Sequence, residues 1–120
     1  MRSRLTAMCL VAVAVLATGV ATAPSASAQS VGNCTYTNSE PNLSEGATGI
    51  AVKQLQCELN YSLNPATGHP DLAVDGSFGP ATLARVEEFQ SCDDFSVDGQ
   101  VGPVTWAGLD YWSASTGWLC

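Results

Sequence analysis

Three stretches of the chain place apolar residues at helical spacing. In residues 43–59, Val52, Leu55 and Leu59 fall on one face, with Gln56 beside them. Ile50, Cys57 and Tyr61 fall on the opposite face, so this helix is expected to be covered on two sides. Thr48 or Gly49 caps it. In residues 80–90, Leu83, Val86, Phe89 and Gln90 share an inner face, with Thr82 at its edge. In residues 103–112, Thr105, Trp106, Leu109 and Trp112 point inward and Tyr111 points away. The stretches between are turn formers. Asn64-Pro65, Thr67-Gly68 and His69-Pro70 mark residues 61–73 as a loop, and Asp93-Asp94 closes the second helix. No segment alternates as a convincing strand. The pattern predicts an all-α fold of three short helices with Gly-rich connections. Its core is Val52, Leu55, Leu59, Leu83, Val86, Phe89, Trp106 and Leu109, with Val74, Phe78, Val97 and Val101 packing from the loops.

The connections repeat. Residues 74–83 read VDGSFGPATL and residues 97–106 read VDGQVGPVTW. A repeat of this kind is one structural unit used twice. Asp-Gly makes a turn, because Gly takes positive φ at no steric cost. Gly-Pro then opens a helix, since Pro at the first helical position loses nothing by lacking an N–H.

The first 28 residues stand apart from this organisation. Arg2 and Arg4 precede an apolar run over residues 7–20, and Ala26-Ser27-Ala28 is a small-residue cleavage signal. The expectation is a secretory signal peptide over residues 1–28, cleaved before Gln29. Residues 29–42 are then an N-terminal extension anchored by Cys34, residues 43–112 the domain and residues 113–120 a tail. The formal net charge of the 120-residue chain is −7. Beyond the leader only Lys53 and Arg85 are basic, against all eleven Asp and Glu. That balance argues against nucleic acid or an anionic membrane surface as a partner.

Four cysteines lie beyond the leader: Cys34, Cys57, Cys92 and Cys120. An even count in a small secreted domain reads as two disulfides, which a thin core needs. Metal is excluded by the lack of any C-x-x-C pair and by a single His, so neither metal nor cofactor is expected. Cys57 and Cys92 sit near corresponding ends of the first two helices, and Cys34 and Cys120 lie near the two termini. The expected pairing is Cys57–Cys92 nested inside Cys34–Cys120.

Catalytic arrangements find little support. A nucleophile–His site needs His69, which sits between Gly68 and Pro70 in a loop, and the cysteines are expected to be oxidised. A zinc amidase needs more than one His. Glu87-Glu88 and Asp93-Asp94 are adjacent pairs, with no second domain to place them across a glycosidic bond. No enzymatic activity is expected.

The ordered residues spell a known pattern. Leu43, Gly46, Gly49, Val52, Leu55-Gln56 and Leu59 are followed by Asp75-Gly76, Phe78-Gly79, Thr82 and Phe89-Gln90. Then come Val97-Asp98-Gly99, Val101-Gly102, Thr105-Trp106 and Leu109. This resembles the type 1 peptidoglycan-binding domain, the three-helix module appended to many bacterial cell-wall hydrolases. The resemblance implies a small three-helix orthogonal bundle and a monomeric, non-catalytic protein that binds the glycan or stem peptide of peptidoglycan. The loop over residues 61–73 is longer than the family's, and no catalytic domain is attached. Candidate ligand-binding residues are Tyr61, His69, Asp75, Ser77, Asp98, Gln100, Tyr111 and Trp112. Tyr61, Tyr111, Trp112 and Trp118 offer aromatic faces to carbohydrate, although Trp112 also fits the core. Helix N-termini suit a carboxylate. Asp75 and Asp98 also read as plain turn formers. Two other roles fit the same scaffold: a disulfide-bonded inhibitor that presents the long loop, and a subunit that targets a separate hydrolase to the wall.

Overall fold

The computed structural model describes residues 34–68 and 70–120. The segment expected to be a signal peptide, residues 1–28, and His69 lie outside the described residues. Three helices form: α1 (Ile50–Ser62), α2 (Pro80–Cys92) and α3 (Pro103–Ser113), with a short 3-10 turn (Pro65–Thr67) between the first two. Gly79 and Gly102 cap α2 and α3, and a proline opens each, as the Gly-Pro repeat predicts.

Residues 43–49 are not helical. Gly46 and Gly49 hold φ of 102° and 120°, which an α-helix cannot contain. This segment runs instead as an extended strap across both Asp-Gly loops. Leu43 and Val101 exchange backbone hydrogen bonds at 3.0 and 2.8 Å. The Gly46 N–H donates to Phe78 C=O at 2.8 Å, Phe78 N–H to Ala47 C=O at 2.9 Å, and Gly49 N–H to Gly76 C=O at 2.9 Å. Among the described residues, the isolated bridges Leu43–Val101 and Thr48–Ser77 take the place of strands.

The core joins Leu43, Val52, Leu55, Leu59, Leu63, Phe78, Val86, Phe89, Val101, Trp106 and Leu109. Leu83 packs half-buried at its margin. Two expectations need correction. Val97 is 52% exposed, because the strap pairs with Val101 and leaves the start of that turn in solvent. The outer side of α1 is covered only in its middle: Gln54, Cys57 and Glu58 are buried, while Ile50 and Tyr61 stay exposed.

The disulfide pairing also differs. The bonds are Cys34–Cys57 and Cys92–Cys120, not Cys57–Cys92 and Cys34–Cys120. The reason lies in where the two extensions run. The N-terminal arm lies along α1, where Gln54 Oε1 accepts from the Tyr36 and Thr37 N–H groups at 2.8 and 3.2 Å. Gln54 Nε2 donates to Cys34 C=O at 3.1 Å, which brings Cys34 to Cys57. The tail returns to the end of α1: Leu119 N–H donates to Ser62 C=O at 2.9 Å, and Asn64 N–H to Cys120 C=O at 3.3 Å. Cys120 thus meets the end of α2. Each bridge staples one extension to the bundle, and each closes a shorter loop than the nested pairing would. Non-reducing peptide mapping is expected to recover a Cys34–Cys57 peptide and a Cys92–Cys120 peptide. A peptide joining Cys57 to Cys92 would contradict this topology.

Candidate functional site

The repeated unit is built around a buried glutamine. Gln56 of α1 is 1% exposed. Its amide nitrogen donates to Asp75 Oδ1 at 2.9 Å, to Ser77 C=O at 3.0 Å and to Thr82 Oγ1 at 3.1 Å. Its oxygen accepts the Gly76 N–H at 2.9 Å. Gln90 of α2 repeats the arrangement one unit later. It donates to Asp98 Oδ1 at 3.0 Å, Gln100 C=O at 2.8 Å and Thr105 Oγ1 at 3.3 Å. It accepts from the Asp98 and Gly99 N–H groups at 3.1 and 3.0 Å. One side chain thereby ties a helix, the following turn and the first turn of the next helix. A core amide satisfied on every side fixes a unique packing.

Asp75 and Asp98 close the turns. Each accepts from the N–H two residues on, at 2.9 Å from Ser77 and 2.9 Å from Gln100. The Gln56 amide holds the Asp75 carboxyl below its usual range, with the Ser77 N–H adding to it. For Asp98 the Gln100 N–H acts first and Gln90 second. The glycines are needed for their backbone conformation. Gly76 and Gly99 take φ of 77° and 70°. A Cβ on Gly99 would also stand 2.6 Å from Leu83 Cδ1. Gln90→Ala is expected to cost about 2–3 kcal/mol, because it strands the buried Gly99 N–H and removes the amide shared by Asp98, the Gln100 carbonyl and the Thr105 hydroxyl. Urea unfolding checks this, and an unchanged midpoint would show that water replaces the amide without loss.

The sequence-predicted site residues fall on two separate surfaces. Tyr61 lines a cleft of 460 Å³ along α1 with Thr35, Tyr36, Asn60 and Asp71. Asp75 lines an adjoining cleft of 310 Å³ with Tyr36, Ile50, Lys53 and Gly76. Asp98 and Gln100 border a hollow of 330 Å³ with Phe95 and Pro103. Tyr111 and Trp112 meet edge to face, ring centroids 5.2 Å apart, beside Val104 and Ala107. Ser77 is exposed and takes part through its backbone. Trp112 is half-buried and its indole N–H donates to Asp93 at 3.3 Å, so it is as much a packing residue as a surface one. Trp118 is 51% exposed in the tail. Sequence reasoning missed the clamp role of Gln56 and Gln90, although a polar amide recurring on an apolar face was the available signal. It also missed Tyr36 and Lys53.

The family model of the peptidoglycan binding domain matches residues 48–109, which take in both Asp-Gly units and all three helices but the end of α3. The chain belongs to the peptidoglycan-binding domain family. An uncharacterized protein of Kitasatospora aureofaciens, encoded in the bpoA1 3' region, is 49% identical over 101 residues, 80% of each chain. The zinc D-Ala-D-Ala carboxypeptidase of Streptomyces albus G is 55% identical over 49 residues. That stretch is 41% of this chain and 18% of the carboxypeptidase. Among solved structures, the SleB N-terminal domain superposes with a TM-score of 0.54 at 32% identity. The match covers 62% of this chain and 96% of that domain. In this peptidoglycan-binding domain the arm over residues 34–42 and the tail from residue 114 lie outside the family match, and the two disulfides join them to it.

Proposed function

We propose that the protein is a secreted, non-catalytic module that binds bacterial cell-wall peptidoglycan. The family match over residues 48–109 carries the reading. Its two Asp-Gly carboxylates are engaged in turn closure, which suits scaffold more than acid–base work. All four cysteines beyond the leader are in disulfides, so no thiol nucleophile is at hand. Two disulfides in so small a domain suit an oxidising, extracytoplasmic setting, as does the leader-like sequence over residues 1–28.

The purified mature protein is expected to sediment with peptidoglycan sacculi and not with cellulose, with a dissociation constant on the order of micromolar to millimolar. It is expected to release no sugar or peptide and to leave the turbidity of a wall suspension unchanged. N-terminal sequencing of protein from the culture medium is expected to start at Gln29. No retention on sacculi at high protein concentration overturns the binding; clearing of the suspension overturns the non-catalytic reading.

A further inference from the structure

The arm over residues 34–37 lies outside the family match, yet it walls the Tyr61 cleft along α1. It is held there at three points: the Cys34–Cys57 bond, the two N–H groups on Gln54 Oε1, and the Cys34 carbonyl on Gln54 Nε2. The arm backbone is thus fixed while its Tyr36 side chain remains 42% exposed. On the same cleft Tyr61, at the last turn of α1, is 43% exposed. Exposed Asp71 and Thr35 supply an acceptor and a hydroxyl. Past Tyr36 the second cleft leads to Lys53, whose aliphatic stem runs over Gly76. Arg85 is committed to Glu88 at 3.1 Å and to the Pro70 carbonyl, which leaves Lys53 as the ammonium that lines the groove.

We infer that this arm-walled groove is a saccharide subsite, taking an N-acetylated amino sugar of the glycan strand between Tyr36 and Tyr61. The inference rests on the wall-binding reading above. A tyrosine face is electron-rich and attracts the C–H face of a pyranose, while its hydroxyl stays wet. Two such rings on a fixed backbone hold a ring at little cost in side-chain order. The 460 Å³ of the cleft lies within the roughly 300–1,000 Å³ of small-ligand sites. The lactyl group of the neighbouring sugar, amide-linked to the stem peptide in the wall, would run toward Lys53, whose ammonium beside Asp75 can donate to its carbonyl. The stem-peptide terminus, by contrast, would need a carboxylate pocket, and the Tyr36–Tyr61 cleft offers Asp71 in its place.

The test is a chemical-shift titration of the disulfide-intact protein with N-acetylglucosaminyl-N-acetylmuramic acid, run beside an N-acyl-D-Ala-D-Ala peptide. The disaccharide is expected to shift the Tyr36, Tyr61 and Lys53 signals, and the peptide to leave them in place. Tyr36→Ala and Tyr61→Ala are each expected to weaken sacculi retention at least five-fold. Tyr36→Phe should retain most of it, as should Val104→Ala on the other surface. Both alanine sites are half exposed, so an unchanged melting curve confirms that the variants fold. Retention by the wild type but no loss in either alanine variant overturns the subsite and leaves wall binding standing. Absence of retention by the wild type overturns wall binding; the disaccharide titration then decides the groove alone, for it if the tyrosines shift and against it if they do not.

Discussion

Trp106→Ala is expected to lower unfolding stability by about 3–5 kcal/mol, toward the upper end of what a large-to-small core change costs. Trp106 is the largest fully buried side chain and is 0% exposed. It joins the strap residue Leu43, the loop residue Val101 and the helical residues in one cluster. Its indole N–H donates to Pro41 C=O at 2.9 Å, so truncation also removes the hydrogen bond that ties α3 to the junction of arm and strap. Such a loss is a large share of the stability of a small domain. Trp106→Phe keeps most of the volume and loses the hydrogen bond, so it should fall between the two. Chemical denaturation with both disulfides intact checks the series. A melt unchanged by the alanine variant would show that the strap and α3 close over the space.

The helices and both turns were legible in the sequence because their signals are local. Gly-Pro sets a helix start through the φ of one ring, and Asp-Gly sets a turn through one positive φ. Inward residues follow from a 3.6-residue period, and eleven of the twelve core expectations, loop residues included, are buried or half-buried. Val104 at 65% and Val97 at 52% exposure show where an apolar residue has no partner above it. The disulfide pairing was not legible. It depends on the path of an arm and a tail with few apolar residues, and that path is set by Gln54 and by backbone groups of Ser62 and Asn64. The site was half legible. Tyr61 and Tyr111 do stand exposed, at 43% and 68%, and Asp75 and Asp98 do close turns. That Tyr36 lines one cleft with Tyr61 follows from the arm, and no periodicity announces it.

Buried Glu58 gives the second large expectation, a stability that falls as pH rises. Glu58 is 1% exposed and lies on the side of α1 that faces the arm and α3. Burial pushes its carboxyl from 4.5 up to about 8; the Gln54 amide opposes the shift, and Asp110 and Glu40 add to it. Glu40 and Asp110 are themselves raised, by burial first, and they share a hydrogen bond. Gln54 Nε2 donates to Glu58 Oε1 at 2.5 Å. Glu58 Oε2 and Ser62 Oγ, one turn apart on α1, are buried without a partner among the described residues, which an ionised carboxylate tolerates poorly. The folded protein therefore keeps a proton that the unfolded chain releases near 4.5. Its stabilising contribution is complete below that pH and is lost as pH rises through about 8. Between pH 5 and 8 the loss should be about 3–4 kcal/mol. Asp75 and Asp98 do not enter this window, since their carboxyls are lowered and ionised in both states across it. Glu58→Gln keeps the shape and an oxygen for Gln54, so urea unfolding at pH 5 and pH 8 should give it a much shallower profile, with only the slope that the raised Glu40 and Asp110 carboxyls leave, and the greater stability at pH 8. A wild type with no slope, or a variant no more stable at pH 8, would show that the carboxylate is solvated. Because Gln54 spends the same amide on Glu58 and on Cys34, while its oxygen takes the Tyr36 and Thr37 N–H groups, the arm should be the first element to feel the charge. Amide exchange at Tyr36 and Thr37 should then accelerate with pH beyond its intrinsic rise, and Glu58→Gln should remove that excess.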